Sequence, residues 1–270
     1  MKWVTREKAR VDRIACPWLI TRFIDPDPTF LFVPAREVLA VAEREGAIPY
    51  DVPGVVLGHH GERCSFDAFL AEYALRDPGL EALAPIVRGA DTDARQLTPE
   101  SAGLYAYATG FQAITRDDFD NMRRQFPAYD ALYAYCRAHA GAQPTVLFVC
   151  LHGAAKSVLG AAYFQRLAED RGVKVRAEFV GTEPDPELAP RVVRELRADG
   201  IDLAGRRPRA ITPADVTMAS RIVSFGCDLG KLAADREVER WDEVPAVSEG
   251  YEAARDAIVK RLPDLLTRCR

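Results

Sequence analysis

Cys150 closes the apolar run Val146-Leu147-Phe148-Val149 and is followed by Leu151-His152-Gly153-Ala154-Ala155-Lys156-Ser157. A thiol at a strand end, a loop of small residues and a helix start are the parts of an oxyanion-binding cysteine loop. The loop amides and the positive end of the helix converge on one point, where they hold a phosphate-like anion. The same field favours a nucleophilic thiolate at Cys150; the Ser157 hydroxyl is placed to donate to the sulfur, and Lys156 adds a full positive charge. The predicted catalytic set is Cys150, Lys156 and Ser157, with Leu151, His152, Gly153, Ala154 and Ala155 binding the anion. Cys227 ends a later apolar run, where a lone cysteine ordinarily packs in the core.

A second group of chemistry-bearing residues lies in the first half. His59, His60 and Cys64 fall within six residues, and Asp91, Asp93 and Glu100 supply oxygen ligands further on. Imidazole with carboxylate and thiolate suits zinc, manganese or iron, so the predicted metal set is His59, His60, Cys64, Asp91 and Glu100, with Asp12 and Cys16 outlying. Neighbouring residues of an extended strand face opposite ways, so one of the two histidines is expected to be the ligand. Two other readings compete. One is a polar loop in which Ser65 and Asp67 cap a helix; the other is a metal-free pocket for a tetrahedral anion, built from Arg13, Arg22, His59 and Arg63.

These residues need elements to position them. The seam Ala138-His139-Ala140-Gly141-Ala142-Gln143-Pro144 is small and ends in proline, which predicts two domains, 1–138 and 144–270. Downstream, β-branched and aromatic runs at 145–150, 175–180 and 221–225 alternate with helical patterns at 158–171, 187–199 and 249–266. That order predicts an α/β three-layer domain with a parallel sheet. Upstream, helical patterns at 11–24, 66–74, 80–87, 99–110 and 117–138 with short strands at 30–33 and 55–57 predict a mainly helical α+β domain.

The cysteine loop resembles the signature of the low-molecular-weight tyrosine phosphatase and arsenate reductase superfamily, which typically reads Val-Cys, five residues, Arg, then Ser or Thr. Phe179-Val180-Gly181-Thr182-Glu183-Pro184 resembles that superfamily's Ser-Ala-Gly-Thr segment. Gly200-Ile201-Asp202-Leu203 resembles its Gly-Ile-Asp turn, and Ser224-Phe225-Gly226-Cys227-Asp228 the Met-Gly-Cys strand end of the reductases. The resemblance implies Cys150 as nucleophile, a second thiol such as Cys227 resolving it, and thioredoxin or a low-molecular-weight thiol as external reductant. Three positions depart from it. Lys156 replaces an arginine and loses the planar two-pronged grip on anion oxygens, Gly153 replaces an asparagine, and Val244 in Trp241-Asp242-Glu243-Val244-Pro245 stands where the general-acid aspartate is expected.

In the first half, Asp12-Arg13-Ile14-Ala15-Cys16-Pro17-Trp18, Leu57-Gly58-His59-His60-Gly61-Glu62-Arg63-Cys64 and Ile86-Val87-Arg88-Gly89-Ala90-Asp91 resemble the ChrB-type chromate-resistance domain. The shared theme implied by the two resemblances is handling of a small tetrahedral oxyanion: arsenate, phosphate or chromate. The leading expectation is a thiol-based arsenate reductase or phosphatase-like enzyme; the alternative is a non-enzymatic oxyanion sensor or accessory resistance protein.

Composition narrows the classes further. Of 270 residues 48% are hydrophobic and 28% charged, which suits a folded globular chain. Net charge is −4, with 16 Lys and Arg against 20 Asp and Glu up to residue 140 and 20 against 20 beyond it. Neither half carries the basic face that nucleic acid needs, so no nucleic-acid partner is expected. No apolar run approaches the roughly 20 residues of a membrane span. With no signal-peptide core in Met1-Lys2-Trp3-Val4-Thr5-Arg6 either, a cytoplasmic location and no membrane partner are expected, and the six scattered cysteines, in a chain able to build its own cores, point to free thiols.

Overall fold

Trp3, Val4 and Thr5 are fully buried between the charged ends of Lys2–Arg6, which forms β1 in the computed structural model; residues 1–269 are described. The chain divides into two units, Met1–Ala142 and Gln143–Arg270.

In the first unit β1 is followed by α1 (Asp12–Leu19), β2 (Thr29–Val33), α2 (Val38–Glu45), β3 (Ile48–Pro49), α3 (Ser65–Glu72), α4 (Pro78–Asp91), α5 (Pro99–Ile114) and α6 (Asp118–His139). Pro17 inside α1 lacks an N–H for the helical ladder, and the helix relaxes into a wider π turn over Ile20–Ile24 before Asp25. The three strands pair in parallel in the order β2-β1-β3, with Trp3 beside Phe30 and Ile48. The unit is mainly helical, as expected, with a parallel α/β corner: Trp3, Tyr50 and Phe69 pack together against one side of the strands. The expected strand at 55–57 is a turn; only Leu57 bridges, to Tyr50. Its Pro53-Gly54 start and the left-handed Asp51 (φ 51°) and Gly54 (φ 80°) break the extended run.

The second unit runs β4 (Thr145–Cys150), α7 (Lys156–Asp170), β5 (Arg176–Gly181), α8 (Pro190–Ala198), α9 (Pro213–Met218), β6 (Ala219–Ser224), β7 (Val238–Arg240), α10 (Tyr251–Val259) and α11 (Leu262–Thr267). All four strands are parallel in the order β5-β4-β6-β7, so β4 is central. Its side chains alternate: Val146, Phe148 and Cys150 join the core shared with α7, α10 and α11, while Leu147 and Val149 join the core beneath α9. Helices on both faces of a parallel sheet make the predicted α/β arrangement. The single terminal helix expected at 249–266 is two helices, because Pro263 sits in the first turn of the second and supplies no N–H to the first. No helix among the described residues is long and apolar enough to cross a membrane.

Candidate functional site

Cys150 is the last residue of the central strand, 5% exposed, with its Sγ 3.1 Å from the Oγ of Ser157 in the first turn of α7. Between them the backbone turns through Gly153 at φ 60°, a left-handed conformation that glycine adopts without strain. Four of the loop's carbonyls are directed to the next segment. Thr182 and Glu183 donate their N–H groups to the oxygens of Cys150 and Leu151 at 3.2 and 2.8 Å; Asp185 and Ala189 donate to His152 and Ala154 at 3.0 and 3.1 Å. With the carbonyls drawn that way, the N–H groups of Leu151 through Ala155 find no protein acceptor among the described residues. Five consecutive N–H groups just before α7 are thus left without a backbone partner.

Beside the loop is a cavity of about 850 Å³ whose wall includes Cys150, Leu151, His152, Ala155, Lys156 and Cys227. Gly153, Ala154 and Ser157 are buried and are not part of this wall. The Lys156 ammonium donates to the Val244 carbonyl at 3.3 Å and lies 6.0 Å from the centre of the Phe225 ring. Cys227 is fixed by a tight turn in which the Ser224 hydroxyl donates to its carbonyl at 2.9 Å and accepts its N–H at 3.1 Å. Burial, reinforced by the neighbouring Cys150, pushes the Cys227 thiol above its ordinary range. Sequence reasoning did not assign the wall residues Thr182, Arg191 and Asp228 to the site. Thr182 had a signal, since it follows Gly181 at the end of the strand beside β4; Arg191 had none.

Asp242 and Glu243 are committed elsewhere. Asp242 accepts from the Gly226 N–H and the Arg240 guanidinium at 3.0 and 2.9 Å, and Glu243 pairs with Arg261. Neither is on the cavity wall, and Val244 is 3% exposed.

The first unit gathers a different set from the one expected. His59 Nε2 lies 3.4 Å from Asp12 Oδ2, 3.2 Å from Asp51 Oδ1 and 3.2 Å from Asp91 Oδ2. His59 and Asp91 are thus joined by Asp12 and Asp51, whereas His60, Cys64 and Glu100 lie outside the group. His60 bonds the Val56 carbonyl at 2.8 Å, Glu100 accepts from the Tyr135 hydroxyl at 3.1 Å, and Cys64 precedes α3 with its N–H on Asp67 at 3.0 Å. The capping role expected of Asp67 is therefore present, while Ser65 instead bonds Asp12 and Asp51. The metal-free anion pocket does not form: Arg13 pairs with Asp51 and Arg22 with Asp130, and three carboxylates surround His59.

Burial and the charge of Asp91 raise the Asp12 carboxyl to about 7, and hydrogen bonding of the imidazole to the three carboxylates, Asp12 first, raises His59 to about 12. Burial also raises Asp51, but His59, Arg6 and Arg13 outweigh it and hold that carboxyl below its ordinary value.

Residues 3–136 match the family model "ChrB, C-terminal domain", and residues 145–240 match "Low molecular weight phosphotyrosine protein phosphatase". The chain is 36% identical over 132 residues to "Protein ChrB" of Cupriavidus metallidurans, an alignment covering 48% of this chain and 36% of that protein. The chain thus spans about a third of that relative's length. It is 28% identical over 124 residues to the "Putative arsenate reductase" of Halobacterium salinarum, covering 44% of this chain and 87% of that one. Among solved structures, the thioredoxin-dependent arsenate reductase of Corynebacterium glutamicum superposes with a TM-score of 0.41 at 21% identity, over 76% of this chain and 94% of that one.

Proposed function

In a chain that joins a ChrB C-terminal-type domain to a low-molecular-weight-phosphatase-type domain, we propose that the second unit is a thiol-dependent arsenate reductase. The observation that carries this reading is the row of five acceptor-free N–H groups from Leu151 to Ala155, set against the Cys150 thiol in a cavity that Cys227 also lines.

The chemistry follows from the geometry. Arsenate sits on the loop amides, with Lys156 adding charge from the helix start. The Cys150 sulfur attacks arsenic and a protonated oxygen leaves as water, giving a Cys150–arsenic(V) thioester. A second thiolate then attacks the Cys150 sulfur. The sulfur–arsenic bond pair stays on arsenic, which leaves as arsenite, and the two sulfurs are joined as a disulfide. Two thiols thereby supply the two electrons, and an external thiol reductant, thioredoxin or a small thiol, restores them. Cys227 is our resolving thiol. Phosphate monoesters are poorer substrates on this reading, because Val244 stands where the resemblance places the general-acid aspartate, and protonation of the leaving group contributes on the order of 10² to 10⁴ in rate.

One observation favours a second reading, reversible oxyanion sensing. The Lys156 ammonium is engaged with the Val244 carbonyl, and Asp242 and Glu243 are committed to Gly226, Arg240 and Arg261. A single-turnover mixture of reduced protein and arsenate separates them. Stoichiometric arsenite, with Cys150 joined to Cys227, supports the reductase. Arsenate bound without arsenite supports the sensor.

A further inference from the structure

The group around His59 lies at the carboxyl ends of two adjacent parallel strands. Asp12 opens α1 just after β1, Asp51 follows β3, His59 belongs to the loop after β3, and Asp91 closes α4. The connection from β1 leads to β2 on one side and the chain returns past β1 to β3 on the other, and it is at such a point that open parallel sheets place ligands. This crevice is independent of the cysteine loop in sequence and in the unit that forms it.

Each carboxylate is held from behind. Asp12 Oδ2 accepts the Ser65 N–H at 2.6 Å. Asp51 Oδ2 is gripped by Arg6 Nη2 at 2.9 Å and Arg13 Nε at 3.2 Å, and Asp91 Oδ1 accepts the Asp12 N–H at 3.2 Å. Such outer bonds orient ligands before an ion arrives. One atom from each of Asp12, Asp51, His59 and Asp91 lies within 4.8 Å of all the others. Ligands on opposite sides of an ion with bonds of about 2.0 to 2.2 Å are roughly 4.4 Å apart, so a small contraction closes the set.

A separate observation points at the ligand. Asp12 is 1% exposed, yet its Oδ1 has no hydrogen-bond partner. A buried carboxyl oxygen left without a partner, on a side chain grouped with two more carboxyls, is an acceptor open to a cation. Asp12 and Asp51 form the floor, while His59 and Asp91 (side chains 41% and 16% exposed) stand at the rim, which gives an ion a path from solvent.

We infer that Asp12, Asp51, His59 and Asp91 form a mononuclear site for a divalent first-row ion of the Mn²⁺ or Fe²⁺ type. Three carboxylates favour an oxygen-seeking ion and the imidazole favours a transition metal over Mg²⁺ or Ca²⁺. Four protein atoms on an octahedral ion leave two positions on the open side for water or for a substrate oxygen.

The test uses the full chain, stripped with chelator and titrated with Mn²⁺ alone while the free-ion paramagnetic resonance signal is followed. The expected result is one Mn²⁺ per chain, retained against equimolar Mg²⁺, with nitrogen coupling from one histidine in the pulsed spectrum. His59→Ala is expected to abolish that coupling, and His59→Ala and Asp91→Asn each to weaken binding at least tenfold. Both residues are at the rim, and circular dichroism checks that each variant is folded; His60→Ala and Glu100→Gln are expected to bind as the parent does. An unattenuated free-ion signal, retention unchanged in the folded His59→Ala and Asp91→Asn variants, or displacement by equimolar Mg²⁺ overturns the inference and leaves the group as an ion-pair cluster.

Discussion

Gly153 and Gly181 approach so closely that a Cβ on Gly153 would lie 2.8 Å from the Gly181 nitrogen, and one on Gly181 would lie 2.7 Å from the Gly153 nitrogen. The cysteine loop is folded directly against the end of β5, backbone on backbone. Every atom that a Gly181 Cβ would meet first belongs to the main chain of Leu151, His152 or Gly153, so nothing there gives way cheaply.

Gly181→Ala should therefore displace the loop. We expect a stability loss of about 1–3 kcal/mol, as for overpacking in a tight core, and phosphate or arsenate affinity at least tenfold weaker. Thermal unfolding and titration calorimetry check both. Unchanged anion affinity would show that the loop amides do not seat the anion.

Lys156 offers a point charge where a guanidinium would offer two parallel donors. Lys156→Arg should tighten phosphate binding by about 1 kcal/mol, and Lys156→Gln should weaken it by about 1.5–3 kcal/mol. Calorimetry at two salt concentrations checks the direction. If both variants bind as the parent does, the ammonium serves only the Val244 carbonyl.

The Cys227 thiol is raised by burial and by its neighbour Cys150. A raised thiol stays protonated and slow to alkylate near neutral pH, so iodoacetamide labelling of Cys227 should climb only above the range of an ordinary cysteine. Cys150→Ser removes the sulfur that disfavours the second thiolate, and the labelling curve should move to lower pH. Peptide mass spectrometry against pH reads the shift; a curve that does not move separates the two sulfurs.

Asp215 caps α9: it accepts the Thr212 N–H and hydroxyl at 2.8 and 2.7 Å and takes Arg209 on both oxygens at 2.7 Å. Burial raises its carboxyl, but these bonds outweigh burial and hold it below the ordinary range. A depressed carboxylate contributes stability above its unfolded pKa and loses it as pH falls through the folded value. Asp215→Asn should cost about 1–2 kcal/mol at pH 7, and the gap from the parent should close as pH drops below the usual aspartate range. Denaturant melts at pH 7 and pH 3 measure it, and a gap independent of pH would remove the charge from the account.

The second unit was legible because its signals are local. A β-branched run ends in Cys150, small residues follow and a helix begins, and the structure keeps that order almost to the residue. In the first unit β1 escaped notice because Lys2, Thr5 and Arg6 break up its apolar character, although Trp3, Val4 and Thr5 are all fully buried. The His59 group shows the deeper limit. Asp51 shares no motif with Asp12 or Asp91, and only the parallel pairing of β1 with β3 brings Asp12 and Asp51 to one crevice. Conversely, His60 and Cys64 are near His59 in sequence and absent from its group. Closeness along the chain misled wherever a turn separated neighbouring side chains.

The four carbonyls of the cysteine loop that are tied to the N–H groups of Thr182, Glu183, Asp185 and Ala189 make those amides reporters of the loop itself. Their protons exchange with solvent only when the loop lets go of the segment beneath it. An anion that braces the loop should slow deuterium uptake at these four positions, none of which it needs to touch. Anion occupancy would then be readable from the back of the loop, with no label on Cys150 and no turnover.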